Sequence, residues 1–95
     1  MTPEKHAVIR GYLTQSFAGR AIEEAEDHSH LTWIFKVLLE GKSPLVAFSH
    51  EFVDDSEPEE IGALLKRWRV AEFMRASPTM RVLVTIRGPT LQRRD

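Results

Sequence analysis

The sequence predicts an α+β fold, a mostly antiparallel sheet with two helices packed on one face, in the order α-β-β-β-α-β. Three observations carry that expectation. Trp33, Phe35, Val37 and Leu39 recur at every second position, as do Val46, Phe48, His50 and Phe52 beyond Gly41-Lys42-Ser43-Pro44, which is the period of half-buried strands. Thr2-Pro3 and Ser56-Glu57-Pro58-Glu59 have the chemistry of helix starts and precede apolar stripes of helical period. Met80, Val82, Val84 and Ile86 alternate with Arg81, Leu83, Thr85 and Arg87 in a last strand.

Taken in order, Thr2 serves as an N-cap and Pro3 fits the first helical turn. Ile9, Leu13 and Phe17 then form a stripe flanked by Val8 and Tyr12, and Gly19 supplies the stop. Residues 21–27 are read as a strand by position, ending in a turn on Asp27, His28 and Ser29. Its acids would make a charged edge that resists sheet-to-sheet association. A tight turn on Lys42-Ser43 pairs Trp33 with Phe52, Phe35 with His50, Val37 with Phe48 and Leu39 with Val46, gathering the large apolar side chains on one face. The reverse face is mixed, and Ile34, Leu38, Leu45 and Val53 are expected to be partly covered.

The second helix is expected from the Ser56/Glu59 capping box to about Arg75 or Ala76, with Ile61, Leu64, Leu65, Trp68 and Ala71 as its core stripe. On a straight helix Val70 falls opposite Ile61, with Phe73 and Met74 flanking it. Either the helix breaks near Arg69 or that far side buries against another chain, and the second reading is preferred here. Ser77-Pro78 ends the helix. Gly88-Pro89 closes the last strand, so residues 1–89 form a single domain and residues 90–95 a flexible C-terminal tail.

Composition restricts the class of protein. The 95 residues suffice for one core, and no apolar run approaches the roughly 18 residues that span a membrane. The N-terminal residues lack the basic start and apolar core of a secretory signal. There is no cysteine, which removes disulfides, thiolate metal sites and thiol nucleophiles and fits a cytoplasmic protein. The net charge of −1 hides a segregation: residues 21–60 hold eleven acids against Lys36 and Lys42, while residues 61–95 hold eight bases against Glu72 and Asp95.

No motif for a cofactor, a metal or a catalytic residue stands out. His28 and His30 beside Asp27 make a weak metal-like cluster and read better as turn histidines. His50, placed by the expected pairing among aromatics opposite Phe35, reads as a satisfied histidine near the sheet edge. A catalytic base or pH switch at that place is the alternative. The acidic run Asp54 to Glu60 lacks the ligand spacing of a calcium loop and is explained by helix capping. Lys66, Arg67, Arg69, Arg81 and Arg87 are the candidate nucleic-acid contacts, although on the helix they fan around the solvent side without forming a stripe.

The succession helix, three strands, helix resembles that of double-stranded RNA-binding domains. That resemblance implies lysines gripping phosphates at the start of the second helix, where this chain has Glu57, Pro58, Glu59 and Glu60, which repel anions. The order is also similar to that of small bacterial secretion chaperones, acidic α/β dimers that begin with a helix and a three-stranded sheet. The leading expectation is a small non-catalytic protein-protein interaction module, a homodimer joined through Val70, Phe73 and Met74. Nucleic-acid binding through the arginine-rich C-terminal third is the second reading, and an enzyme or metal protein using His28, His30 or His50 the third.

Overall fold

Sheet order and chain order coincide in this protein: five strands lie side by side as β1-β2-β3-β4-β5. The structure is a computed structural model that describes residues 1–94. Its α+β order is α1 (Pro3–Ser16), β1 (Ala21–Asp27), β2 (Thr32–Leu38), β3 (Leu45–Ser49), α2 (His50–Asp55), α3 (Pro58–Arg67), α4 (Val70–Ala76), β4 (Met80–Thr85) and β5 (Gly88–Arg93). Four helices therefore stand where two were expected, and five strands where four were.

The N-terminal elements form as their residues dictate. The Thr2 hydroxyl accepts the Lys5 amide at 3.3 Å, and Ile9, Leu13 and Phe17 are buried. Asp27 Oδ1 accepts the amides of Ser29 and His30, which turns β1 back along β2.

The β2-β3 pairing differs from expectation by a slide of four residues. Trp33 opposes Phe48 and Phe35 opposes Val46, because the reversal is made on Glu40-Gly41 and not on Lys42-Ser43. Leu39 and Lys42 exchange backbone hydrogen bonds of 2.9 and 3.2 Å across it, and Gly41 supplies the positive φ of 73° that the turn requires. Val53, expected on the reverse face, joins the core, whereas the even slide leaves the side chains of residues 32–49 on their predicted faces, so the rest of the core set survives. It also ends β3 at Ser49. There the Ser49 hydroxyl accepts the Phe52 amide at 3.0 Å and caps α2, so His50 and Phe52 are helical and not in a strand.

Near Arg69 the expected long helix breaks. α3 starts one residue later than predicted, with the Glu57 amide donating to Glu60 Oε1 in place of a Ser56/Glu59 box, and it stops at Arg67. Arg69 adopts left-handed backbone, φ 52° and ψ 47°. The kink redirects α4 so that Val70, Ala71 and Met74 enter the core. Tyr12 on α1 fixes the kink by accepting the Ala71 amide on its hydroxyl at 2.9 Å.

Beyond Thr85 the chain turns on Ile86-Arg87 and returns as β5, with Thr85 opposite Gly88 and Met80 opposite Arg93. Residues 90–93, assigned above to a tail, are thus part of the sheet; Asp95 lies outside the described residues. Pro89 is tolerated because β5 is an edge strand, where a missing N–H leaves no ladder bond unmade. Gly88, at φ 109°, lies beneath Trp68, whose ring would meet an added Cβ at 3.7 Å.

Three strand pairs are antiparallel, and β3-β4 is parallel, a pairing that needs the crossover supplied by α2, α3 and α4. One buried cluster joins Ile9 and Leu13 of α1, and Phe17 at its end, with Phe52, Val53, Ile61, Leu65, Val70 and Met74 of the other helices. From the strands it takes Phe35, Val37, Val46, Phe48, Val82 and Val84. These strand residues all lie on one face. Helices cover that face, and the alternate residues point the other way.

Candidate functional site

Two regions carry chemistry that the core does not use. The first is a seam along β1. Strand alternation aims Ile22, Glu24 and Glu26 toward the helix layer, so two carboxylates sit where apolar residues would ordinarily close the core. Both are met by basic side chains. Glu24 takes His6 Nε2 on one oxygen and Arg10 on the other. Burial works to raise the Glu24 carboxyl, but these two partners outweigh it and hold the group below the ordinary carboxylate range.

Glu26 is shared by two histidines. His28 Nε2 lies 3.6 Å from Oε1 and His50 Nε2 3.1 Å from Oε2. His50 therefore stands at the start of α2 beside the end of β1, not opposite Phe35 as predicted. Its ring packs on Trp33 with centroids 5.0 Å apart. The His50 to Glu26 approach lies off the hydrogen-bond direction, leaving the buried His50 Nε2 and the Trp33 Nε1 without hydrogen-bond partners. Next along the strand, Asp27 accepts His30 Nδ1 at 2.8 Å, and that bond, with the His30 and Ser29 amides, lowers the Asp27 carboxyl.

All four histidines of the chain thus contact carboxylates of a single strand. His28 and His50 converge on Glu26, whereas His30 turns to Asp27. A cleft of about 420 Å³ opens beside this seam, lined by Met1, His6, Glu24, Glu26, Trp33 and Phe35 among others. Among the described residues no group of three or more His, Asp or Glu side chains is placed to hold a metal ion. The Ser49 hydroxyl is engaged as the α2 cap. What the seam does is tie α1 and α2 to an edge strand through contacts between imidazole and carboxylate.

The second region is the reverse face of the sheet. The pairings align its residues in rows: Glu23, Lys36, Leu45, Arg81 and Gln92 form one, and Ala25, Ile34, Ala47, Leu83 and Thr90 the next. The second row is almost wholly apolar. Leu45 and Ala47 are buried yet belong to no part of the helix-covered cluster; in the pairings Lys36 and Arg81 flank Leu45, and Ile34 and Leu83 flank Ala47. A shallow concavity of about 590 Å³ lies over Glu23, Ala25, Ile34, Lys36 and Leu45.

On the same face Arg94 lies near Arg81. Burial and the Arg81 charge together lower the Arg94 guanidinium, and the Nε atoms of both are buried without hydrogen-bond partners. Arg94 donates to the Ser43 carbonyl. No carboxylate pairs with either arginine among the described residues.

The residues singled out from sequence are dispersed. Val70 and Met74 are fully buried in the chain's own core, so the expectation that they lack one is corrected by the Arg69 kink, and Phe73 alone is left at 40% exposure. Lys66, Arg67 and Arg69 lie on the helix layer, Arg69 against Glu72 at 3.6 Å. Arg81 is on the opposite face, and Arg87 is in the β4-β5 turn. The Glu24/Glu26 pair was missed, and Arg94, counted only with the arginine-rich C-terminal third, was not expected to have its Nε buried on the sheet. Alternation along residues 21–27 was the available signal for the carboxylates, since it puts two acids on the core side of a strand.

Fold and geometry together define a small α+β domain with one helix-covered sheet face and one open one. No family model, no curated protein and no solved structure matches the chain. No described helix is long and apolar enough to cross a membrane.

Proposed function

We propose that the protein is a non-catalytic protein-protein interaction module and that its binding surface is the reverse face of the sheet. The observation that carries this reading is the row Ala25, Ile34, Ala47, Leu83 and Thr90, an apolar band across all five strands with no helix over it. A sheet face flanked by charge and apolar at its centre has the anatomy of a protein interface, in which association removes the central band from water while the rim stays wet. The Val70, Phe73 and Met74 surface is thereby reduced to Phe73, too small a patch to hold a partner.

The test is association of the Leu83→Lys variant, compared by sedimentation and by affinity capture with the unsubstituted chain. Association, with itself or with another protein, that is lost in a variant retaining its circular dichroism spectrum supports the reading. Association that ignores the substitution, or no association at all, overturns it.

A further inference from the structure

Because strands succeed one another in the sheet as they do in the chain, the charge asymmetry of the sequence becomes a gradient across the sheet. On the reverse face β1 contributes Glu23 and Asp27, while β4 and the end of β5 contribute Arg81 and Arg94. Resting on the reading above, we propose that the occupant of this face is a second copy of the chain, packed face to face about a twofold axis that runs parallel to the strands.

Two closed arrangements put the face against itself, and charge separates them. An axis across the strands lays β1 on β1 and the arginine side on the arginine side, opposing like charges. An axis along the strands lays β1 over β5, β2 over β4 and β3 over β3. In that arrangement Ile34 of one copy faces Leu83 of the other, β3 lies over β3 at the axis, where Ala47 is already buried within each copy, and the rows remain level. Glu23 of one copy then stands over Gln92 of the other, beside Arg81 and Arg94, the two arginines with partnerless buried Nε atoms. Shape agrees with charge. The concavity lies over β1, β2 and β3, and the side chains laid into it are Leu83 and Arg81 from β4 of the other copy.

Five strands at about 4.8 Å and some six residues at about 3.3 Å make a face roughly 20 Å square. That footprint, about 400 Å² a side, falls below the range of stable interfaces, so the dimer belongs with the weak, reversible ones. One mismatch is built in, because Lys36 of each copy opposes Arg81 of the other.

Sedimentation equilibrium of the purified 95-residue chain and its variants tests this. The unsubstituted chain is expected to dimerise at tens of micromolar, Glu23→Lys to raise the dimer dissociation constant tenfold or more, and Lys36→Glu to lower it severalfold by removing the mismatch. Glu23 is exposed and Lys36 half-buried at the surface, so neither substitution threatens the fold. A chain that stays monomeric at 200 µM overturns the proposal, as does a dimer that ignores both substitutions or responds to Lys36→Glu by weakening. A monomeric chain that still captures another protein through Leu83 overturns the self-association alone and leaves the interaction module standing. A monomer that captures nothing removes both.

Discussion

The two faces of one sheet are built from alternate residues of the same strands, and they have opposite fates. Phe35, Val37, Val46, Phe48, Val82 and Val84 are at most 1% exposed beneath four helices. Ile34, Lys36, Leu45, Ala47, Arg81 and Leu83, each one residue away from a member of that set, have no helix above them. Side-chain bulk accounts for the difference. The covered face carries two phenylalanines that interlock edge to face, Phe35 on Phe48 at 5.8 Å between centroids, and Phe52 of α2 stacks on Phe48 at 6.2 Å. The open face has aliphatic side chains without aromatic ones at its centre, Ile34, Ala47 and Leu83, and the cations Lys36 and Arg81 in the next row. Burial on the first face supplies stability, and incomplete burial on the second leaves a surface for association.

That contrast is broken most directly at Phe48. Phe48→Ala should cost about 3–5 kcal/mol, measured by urea unfolding, because it empties the centre of the covered face. A loss under about 1 kcal/mol would mean that the aromatic cluster is not the main source of stability. Tyr12→Phe leaves the Ala71 amide without its hydroxyl acceptor and should cost about 1–2 kcal/mol, with hydrogen exchange of α4 accelerating before that of α1.

Glu24→Gln should cost under about 1 kcal/mol at pH 7, the size of a partly screened ion pair. The Glu24 carboxyl is held below its ordinary 4.5, so its contribution is complete above that value and is lost as pH falls through the depressed one. Unfolding curves of the variant and the unsubstituted chain should therefore converge in acid; a gap that widens there would contradict the assignment. Leu83→Lys, on the open face, should change the stability of the dilute monomer by no more than about 0.5 kcal/mol. A loss comparable to that of Phe48→Ala would show the reverse face to be a second core.

Much of the architecture was legible in the sequence, and the parts that were not share a cause. Period-2 alternation settles which face a side chain takes, but it is blind to a slide by an even number of residues. Choosing Lys42-Ser43 over Glu40-Gly41 for the turn therefore shifted the pairing while sparing the core. Phe48 and Phe52 are four apart, a spacing shared by strands and helices, and the Ser49 cap that decides between them is a single residue. The break at Arg69 carries no glycine or proline to announce it. β5 offers only Thr90 and Leu91 as strand signals, with Pro89 arguing against one, too little to show that a partner edge awaits it. The histidine seam was hidden for a different reason: His6 meets Glu24, and His50 meets Glu26, only after α1 and α2 have docked.

The single parallel pairing, β3 against β4, has a consequence for the order of assembly. β1, β2 and β3 zip through short turns, and β4 with β5 through another, so each ladder closes at small entropic cost. The edge between the ladders forms only after residues 50–79 have been wound up and laid across the sheet. Loop entropy favours separate closure of the two ladders, with the edge between them expected to form last. Until it closes, the flank of Val46 and Phe48 that awaits β4 is an unpaired apolar edge, and this is where misassembly between chains would begin.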